Sequence, residues 1–266
     1  MSLAGNVVVI TGASKGIGAE LAMQLAKKGA SLALSARDVT ALDEVAARCR
    51  AAGAKAIVIA ADVAKEADCK ALIERTVAEF GRLDTLVNNA GISMWAKFED
   101  IEDMSILERI MQVNYMGAVY CTHYALPHLK AARGRIVGIS SLSGKIGVPT
   151  RSGYAASKHA MTGFFDSLRI ELRASGVTVT MIYPGFVSTG IRENATGPDG
   201  KPIEVSPVKE GEVMSVEECA RITLAAISAR RREVVMTARG KLAMFLKIVA
   251  PGLVDDIARR AIEKGR

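Results

Sequence analysis

A tyrosine and a lysine stand four residues apart in the stretch SGYAASKHAMTGFF, at positions 154 and 158. On an α-helix this spacing puts both side chains on one face, with the lysine one turn further along. A phenol beside an ammonium group can act as an acid, because the positive charge favours the phenolate. A Tyr-x-x-x-Lys pair also arises by chance in many chains, so its meaning depends on the surrounding sequence.

A glycine-rich turn lies near the start of the chain, in the stretch ITGASKGIGAEL. Gly12, Gly16 and Gly18 fall between a short apolar run and a helical pattern. Glycine permits a tight turn and the close approach of a phosphate, and a helix N-terminus offers free N–H groups. The spacing departs from G-x-G-x-x-G, but the position of the turn predicts a site for a dinucleotide pyrophosphate.

The end of the second predicted strand reads SAR, with Ala36 and Arg37 where a dinucleotide-binding fold often has an acidic residue. A carboxylate there would bind the ribose 2′-hydroxyl of NAD but would repel the 2′-phosphate of NADP. Arginine instead pairs with a phosphate through two parallel hydrogen bonds. Lys15, inside the glycine turn, adds another cation. The sequence therefore predicts NADP(H) rather than NAD(H) as the cofactor.

Two further strand ends offer contacts to such a cofactor. Asp62 and Val63 follow the third predicted strand, where the adenine edge would lie. Asp62 is equally compatible with capping the next helix. The sequence NNAG at 88–91 closes the fourth strand with small residues and is placed to run beneath a ribose.

Short β-rich runs alternate with amphipathic helical patterns, which is typical of βαβ units in a parallel sheet. The runs are mostly continuous in hydrophobicity, as buried parallel strands are. We therefore predict an α/β fold with a seven-stranded, mainly parallel sheet and helices on both faces. The predicted strands are 6–11, 31–36, 55–60, 85–89, 135–140, 177–183 and 233–237.

Helical patterns connect these strands, and several of them close with a glycine that suits a left-handed helix end. In open parallel sheets, ligands bind beyond the carboxyl ends of the strands. A functional site is therefore expected just after the strands. The predicted helices are 16–29, 38–53, 65–80, 104–131, 153–175 and 215–229, and the closing glycines are Gly29, Gly53, Gly81, Gly134 and Gly176.

Half of the 266 residues are hydrophobic, and no linker or repeat divides the chain, so one domain over 1–266 is expected. Four scattered cysteines without a Cys-x-x-Cys predict a reduced, metal-free protein. The N-terminus lacks the pattern of a secretory leader, so a cytoplasmic location is expected. The net charge of +7 favours anionic partners. Dispersed basic residues without interleaved aromatics argue against nucleic-acid binding.

The C-terminal segment, about 239–266, contains the apolar run LAMFLKIVAPGLV at 242–254. This run is shorter than the ~20 residues of a bilayer span and contains Lys247 and Pro251. One interpretation is a helical segment packed on the domain or on a second subunit. Its basic flanks also permit peripheral contact with an anionic membrane surface.

Ser141 lies just past the fifth predicted strand, and twelve residues separate it from Tyr154. With this spacing and the glycine turn, the chain resembles the short-chain dehydrogenase/reductase family. The motifs TGASKGIG, NNAG, VNYMG, YAASK and PGFVST occur in the family's order. The resemblance covers about residues 5–190 tightly and the remainder loosely. It implies a Rossmann-type, doubly wound fold.

The resemblance implies a catalytic tetrad of Asn114, Ser141, Tyr154 and Lys158. Hydride addition to a carbonyl leaves an alkoxide that needs a proton, which Tyr154 would supply. The Lys158 ammonium, about 4 Å away, would favour the phenolate by about 4 kcal/mol at an effective dielectric near 20. Ser141 would polarise the substrate oxygen. Asn114 is implied to distort its helix and to order a proton-relay water; a satisfied polar residue on a packed helix is the alternative.

The resemblance also assigns a set of residues to NADP, among which Thr189 would hold the nicotinamide carboxamide. Besides Tyr154 and Lys158, the expected cofactor-binding residues are Gly12, Ser14, Lys15, Gly16, Ile17, Gly18, Arg37, Asp62, Val63, Asn89, Ala90, Gly91, Pro184, Gly185, Val187 and Thr189.

Residues that follow the catalytic strands should line the substrate pocket, and they are mainly apolar, which favours a lipophilic ketone or aldehyde. Core packing is an alternative for Leu142 and Ile191. The polar stretch 190–214 is long and rich in breakers, so we expect a substrate lid. The expected substrate-binding residues are Met94, Trp95, Leu142, Phe186 and Ile191.

The C-terminal sequence weakly resembles the carbonyl reductases related to hydroxysteroid dehydrogenases, which implies a bulky hydrophobic substrate. A 3-oxoacyl-thioester reductase is the nearest enzymatic alternative. An NADP-binding redox sensor without turnover and a membrane-surface docking protein are alternatives of other classes. By resemblance, a homodimer or homotetramer built on the helices at 104–131 and 153–175 is expected.

Overall fold

In the computed structural model, which describes residues 3–189, 191, 195–203 and 213–263, seven strands form one parallel sheet. Their order is β3-β2-β1-β4-β5-β6-β7, which confirms the predicted Rossmann-type topology. Each strand lies within two residues of its predicted bounds. The strands are β1 Val7–Thr11, β2 Ser31–Ala36, β3 Ala56–Ala60, β4 Thr85–Asn88, β5 Arg135–Ile139, β6 Thr178–Tyr183 and β7 Glu233–Val235.

Helices cover both faces of this sheet. One hydrophobic cluster joins residues of α1, α2 and α7, such as Leu25, Leu42 and Leu224, to the sheet. A second cluster joins α3, α5 and α6 to the opposite face. The helices are α1 Gly16–Ala26, α2 Val39–Ala51, α3 Glu66–Phe80, α4 Ser105–Met111, α5 Gly117–Ala131, α6 Ser152–Glu171, α7 Val216–Ser228, α8 Ala238–Val249 and α9 Pro251–Glu263.

The helical pattern predicted at 104–131 is interrupted at Asn114, where the family resemblance implies a distortion. A π-helical turn, Gln112–Met116, separates α4 from α5. Within this turn, the Asn114 side chain accepts the N–H of Ile92 at 2.8 Å and donates to the Ile92 carbonyl at 2.9 Å. These long-range bonds hold the turn against the end of β4. π turns of this kind occur frequently at functional sites.

Of the predicted helix-closing glycines, Gly134 does not have the left-handed backbone that was expected. Arg133 takes that conformation instead, with a φ of 46°. Gly134 is needed for close packing, since a Cβ there would lie 2.5 Å from the carbonyl oxygen of Asp84. The other four glycines do have positive φ values.

Within the C-terminal segment, the described residues form α8 and α9. Several apolar side chains of these helices are exposed; the exposed fraction of Ile248 is 82% and that of Phe245 is 61%. Among the described residues, no helix is both long and apolar enough to cross a membrane.

Candidate active site

A groove of about 600 Å³ lies beyond the carboxyl ends of the strands, where the sequence places the functional site. Because all the described strands run parallel, their following loops converge on this one edge. Most of the predicted site residues line it. From the predicted set, the lining residues are Gly12, Ser14, Lys15, Gly16, Ile17, Arg37, Asp62, Val63, Asn89, Ala90, Gly91, Ser141, Tyr154, Lys158, Pro184, Gly185, Phe186, Val187, Thr189 and Ile191.

The glycine turn is fixed against the loop that follows β4. Asn89 donates from its side-chain amide to the carbonyls of Thr11 and Gly12, at 2.9 and 3.0 Å. The Thr11 hydroxyl in turn accepts the backbone N–H groups of Asn89 and Ala90, each at 3.0 Å. A Cβ at Gly12 would lie 2.8 Å from the Ala90 Cα. The two loops therefore approach each other too closely for any side chain at Gly12.

Gly18 lies behind the turn and does not line the groove. A Cβ on Gly18 would lie 2.4 Å from the carbonyl oxygen of Gly12. Its part is to bring α1 against the turn, so that the N-terminus of α1 faces the groove. No side chain caps this N-terminus, where Lys15 is the N-cap residue. Its N–H groups are therefore suited to a phosphate.

Exposed Arg37, which follows β2, and exposed Lys15, in the glycine turn, supply two cations to the groove. Asp38, which the sequence analysis did not consider, also lines the groove. Its carboxylate accepts the N–H of Ala41 at 3.1 Å and thereby caps α2. Asp62 lines the groove as well, and its carboxylate accepts the N–H of Ala64 at 3.1 Å. The helix beyond it begins only at Glu66, so Asp62 forms a local turn rather than the helix cap.

Tyr154 and Lys158 both face the groove from α6. The Lys158 Nζ lies 5.8 Å from the centroid of the Tyr154 ring and donates to the Ile139 carbonyl at 2.9 Å. Lys158 is 3% exposed, and this burial lowers the pKa of its ammonium group. The Tyr154 charge acts in the opposite direction, raising the pKa of Lys158. The charge states of the Lys158 ammonium and the Tyr154 phenol therefore influence each other.

Ser141 and Ser140 follow β5, and the structure separates their roles. Ser140 is buried, and its hydroxyl donates to the Lys158 carbonyl at 3.4 Å. The Ser141 hydroxyl is half-buried at the groove and accepts the N–H of Ser143 at 3.2 Å. Because it accepts there, its own proton is available to a ligand in the groove.

Asn114 is buried behind the groove, and both its side-chain oxygen and its side-chain nitrogen form hydrogen bonds. Beyond its two bonds to Ile92, its amide donates to the Ser157 hydroxyl at 2.9 Å. A Cβ on Gly91 would lie 3.2 Å from the Asn114 Oδ1 and 3.6 Å from the Lys158 Nζ. Because Gly91 has no side chain, the Asn114 Oδ1 and the Lys158 Nζ can lie close to the backbone at the groove. A relay water at Asn114 stays a prediction.

The loop after β6 forms the opposite wall. The Pro184 carbonyl accepts the N–H of Leu142 at 2.9 Å, which ties this wall to the Ser141 loop. Thr189 lines the groove next to the glycine turn, since a Cβ on Gly16 would lie 3.2 Å from its methyl group. Its expected contact with a carboxamide stays a prediction.

Residues 195–203, within the predicted lid, form a hydrogen-bonded loop against the segment after β4. Thr196 donates its N–H to Ser93 and accepts that of Trp95, each at 2.9 Å. Thr196, Gly200 and Pro202 line the groove. This part is a wall of the groove, held in place by backbone bonds. Residues 190, 192–194 and 204–212 of the predicted lid lie outside the described residues.

The predicted substrate residues divide into two groups. Phe186 and Ile191 line the groove. Met94, Trp95 and Leu142 are not among its lining residues, and their contact with a substrate stays a prediction. Met94 is fully buried in a cluster that contains Tyr154. Leu142 packs on the core and lies close to Gly240 of α8, as its alternative interpretation predicts.

Several lining residues were given no site role from the sequence. Arg109 and Val113 come from the α4 region, and Arg151 comes from the residue before α6. An arginine three residues before Tyr154 was visible in the sequence, but nothing in its pattern indicated a buried side chain. The other lining residues without a predicted role are Ser35, Asp38, Ala61, Ile92, Ile139 and Ser140, whereas Ala36 was considered at the end of β2 and Thr196, Gly200 and Pro202 fall within the predicted lid.

These observations fit a nicotinamide dinucleotide. In the turn between β1 and α1, there is no room for a side chain at Gly12 or Gly18, and the N–H groups at the start of α1 can bind a pyrophosphate. The loops after β2 and β3 supply Arg37 and Asp62 at one end of the groove, and Tyr154 and Lys158 lie at the other. Among the described residues, no cluster of His, Cys, Asp and Glu could hold a metal ion.

Comparisons with known proteins agree with this geometry. The family model described as short chain dehydrogenase matches residues 6–199. The 11-beta-hydroxysteroid dehydrogenase A of Arachis hypogaea is 41% identical over 264 residues, which cover 96% of this chain and 74% of that protein. The 11-beta-hydroxysteroid dehydrogenase-like 4A of Arabidopsis thaliana is 40% identical over 257 residues, covering 96% and 84%.

A solved structure is also similar over nearly its whole length. It is a short chain dehydrogenase/reductase from Burkholderia phymatum in complex with NAD, with a TM-score of 0.83 and 26% identity. The similarity covers 95% of this chain and 96% of that chain. From the shared fold, the placement of the glycine turn and the family match, we conclude that this chain belongs to the short-chain dehydrogenase family.

Proposed function

We propose that this family member is an NADP(H)-dependent oxidoreductase that interconverts a lipophilic ketone or aldehyde and its alcohol. The observation that carries the proposal is the buried Lys158 ammonium, whose Nζ lies 5.8 Å from the Tyr154 ring centroid in the groove. A buried cation beside a phenol favours the phenolate and makes proton exchange easier near neutral pH.

The proposed roles follow from the positions of the side chains. A nicotinamide dinucleotide held by the glycine turn and by the loop that contains Thr189 would supply or accept a hydride at the substrate carbon. During reduction, the Tyr154 hydroxyl gives its proton to the substrate oxygen, and during oxidation its phenolate takes the proton back. Ser141 donates a hydrogen bond to the same oxygen, where negative charge develops. Lys158 stabilises the phenolate, and Asn114 holds the π turn behind it and orders a relay water.

The preference for NADP rests on Arg37, just beyond β2, and on Lys15 in the glycine turn, both of which line the groove. Their charges suit a 2′-phosphate, with which an arginine can form two parallel bonds. Asp38 lines the same region, but its carboxylate already accepts the N–H of Ala41. Its engagement in capping α2 leaves Arg37 as the stronger candidate for the ribose contact.

The substrate class rests on the apolar part of the groove. Ile92, Val113, Phe186, Ile191 and Pro202 line it. A wall of this kind favours a hydrophobic carbonyl compound. One plant relative is named a hydroxysteroid dehydrogenase and the other hydroxysteroid dehydrogenase-like, and both names agree with a bulky lipophilic substrate.

The experiment that tests the proposal is NADPH oxidation by the purified chain over a panel of ketones and aldehydes graded by size and polarity. We expect turnover to increase with the apolar area of the substrate. Turnover that is confined to small charged carbonyl compounds would contradict the substrate class. Bound NADPH without turnover of any carbonyl compound would instead favour a redox-sensing regulator.

A 3-oxoacyl thioester is the second candidate substrate, and one observation favours it. Arg109 is exposed on α4 and lines the groove together with an adjoining cavity of about 440 Å³. A cation at this point suits an acidic acyl carrier. Thioesters therefore belong in the panel, and activity on acyl-carrier thioesters but not on free ketones would select this function.

A further inference from the structure

Arg151, the residue before α6, contacts the face of the Tyr154 ring. Its guanidinium carbon lies 4.4 Å from the ring centroid, which is closer than the 5.8 Å of the Lys158 Nζ. Arg151 is only 6% exposed, although it lines the groove. A buried arginine against a phenol is unusual, because removing a charge from water is costly unless something offsets the cost.

Several contacts fix Arg151 in this position. Its guanidinium donates to the buried Ser93 hydroxyl at 2.5 Å and lies 5.7 Å from the centroid of Trp95. Its carbonyl accepts the N–H of Ala155, which starts the hydrogen-bonding of α6. The preceding Thr150 has a left-handed backbone, with a φ of 63°, and its carbonyl accepts the N–H of Ala96. The loop before α6 is therefore bound to residues 93–96.

The N-terminus of α6 is also packed too tightly for Arg151 to move away easily. A Cβ on Gly153 would lie 2.4 Å from Leu107 of α4 and 3.0 Å from the sulfur of Met94. This close packing places the first turn of α6 directly on α4 and on the segment after β4. The start of α6 is thus fixed against α4 and the segment after β4, while the guanidinium itself contacts Ser93, Trp95 and Tyr154.

Among the described residues, Arg151 and Lys158 place positive charges at the Tyr154 ring. From α4, Arg109 lines the same groove. Glu108, next to Arg109, is exposed and lines the adjoining cavity. The described residues 93–96 and the end of β5 bring no charged side chain to the ring. Arg151 also lowers the pKa of Lys158 by charge repulsion.

We propose that Arg151 is a positioning residue that favours the phenolate form of Tyr154, acting as a second cation beside Lys158. A cation over an aromatic face is attracted by the ring, and more strongly once the ring carries the negative charge of a phenolate. Arginine stays protonated at every accessible pH, whereas burial makes the Lys158 ammonium easier to deprotonate. Arg151 therefore supplies a charge that does not depend on pH. The proposal rests on the proposed function, in which Tyr154 exchanges a proton with the substrate.

The test compares Arg151→Met with the unmodified chain by the pH dependence of kcat/KM for alcohol oxidation, with NADP as the oxidant. Oxidation needs the phenolate, so its rate rises with pH as Tyr154 ionises. Loss of a neighbouring cation typically moves such a midpoint by about one unit or more, here to higher pH. At a pH below the midpoint, oxidation should therefore fall about tenfold.

Arg151→Lys is the matched variant because it retains a positive charge, and its midpoint should lie between those of the unmodified chain and Arg151→Met. Arg109→Met removes a cation that lines the groove but has no contact of this kind with the ring. It should move the midpoint less than Arg151→Met does. Arg151→Gln, which can still donate to Ser93, serves if Arg151→Met does not fold.

A titration without turnover separates this proposal from the proposed function. The chain has five tyrosines, so subtracting the Tyr154→Phe variant from the parent isolates the tyrosinate absorbance of Tyr154. Its midpoint should also rise in Arg151→Met, even if no substrate is known. An unchanged midpoint, together with a lower melting temperature or a rate loss equal at all pH values, would assign Arg151 a purely structural role. Absence of turnover with a raised midpoint would overturn the function alone.

Discussion

The Nζ of Lys158 donates a hydrogen bond of 2.9 Å to the carbonyl of Ile139, the last residue of β5. This bond ties α6 to the strand end that also presents Ser141. The bond holds the ammonium group at the carboxyl end of β5, and the Nζ there lies 5.8 Å from the centroid of the Tyr154 ring. The proposed proton exchange therefore depends on the packing of α6 on β5 as much as on the identity of the side chains.

Replacing Tyr154 with phenylalanine removes the acid and keeps the ring. We expect NADPH binding to be retained and turnover to fall by at least ~100-fold, the lower end of general-acid effects. Cofactor binding is measured by nucleotide fluorescence and turnover by NADPH oxidation. Tyr124→Phe is the control, because the Tyr124 hydroxyl bonds Glu66 at 2.7 Å and does not line the groove. Substantial activity of Tyr154→Phe would refute the mechanism.

Replacing Lys158 with methionine should abolish most turnover and change how stability depends on pH. Burial lowers the pKa of Lys158 below the ordinary 10.5, so the folded chain loses this proton at a lower pH than the unfolded chain does. Between the two pKa values the unfolded chain binds more protons, and the free energy of unfolding rises with pH. The parent should therefore gain stability relative to Lys158→Met as pH rises towards 10.5.

Urea unfolding of both proteins at a series of pH values measures this difference. Parallel stability curves across the whole range would show that Lys158 has the same affinity for its proton in the folded and unfolded chains. The burial argument would then be wrong, whatever the effect on turnover.

Much of this architecture could be predicted from local sequence alone. Buried parallel strands are continuous apolar runs, and their alternation with helices leaves few topologies. The positions of the glycine turn, Arg37 and Ser141 then follow from the rule that loops after parallel strands converge.

The remaining features depend on contacts between distant residues. The resemblance implies a distortion at Asn114, but helical periodicity does not indicate that Asn114 bonds both backbone groups of Ile92 within the π turn. Met94 and Phe186 both follow a strand and are both apolar, yet only Phe186 lines the groove. Arg151 resembles a solvated residue before a helix until Ser93 and Tyr154 are placed beside it.

Arg37→Glu should change the cofactor preference. The carboxylate would repel a 2′-phosphate and could accept the 2′-hydroxyl of NAD instead. We expect weaker NADPH binding and unchanged or tighter NADH binding, measured by titration of both nucleotides. Arg48→Glu makes the same charge change on α2 at an exposed residue that does not line the groove. Equal loss of NADPH affinity in both variants would point to net charge rather than to a ribose contact.

Gly18→Ala should destabilise the glycine turn. The added Cβ would lie 2.4 Å from the Gly12 carbonyl oxygen and 2.6 Å from the Asn89 amide nitrogen, so one of the two loops must shift. Overpacking of this kind typically costs about 1–3 kcal/mol of unfolding free energy, and we expect nucleotide affinity to fall as well.

Gly163→Ala is the matched control, since it lies within α6 and a Cβ there meets nothing within 4 Å. Alanine is the better helix former, so this variant should gain about 0.5–1 kcal/mol and bind nucleotide normally. Denaturant unfolding and nucleotide titration measure both quantities. A Gly18→Ala variant with parental stability and affinity would show that the turn relaxes easily.

The exposed apolar side chains of α8 predict binding to an anionic lipid surface. Leu242, Phe245 and Ile248 are 57%, 61% and 82% exposed, and exposed Arg239 and Lys241 lie at the same helix. An amphipathic helix with basic flanks inserts its apolar face at the headgroup level. We expect the chain to cosediment with vesicles that contain phosphatidylserine, and binding to weaken with salt.

Phe245→Asp should reduce binding strongly, whereas Ile170→Asp, at a 76% exposed residue of α6, should reduce it little. Equal binding by both variants, or a change of oligomeric state in Phe245→Asp alone, would assign this face to another partner.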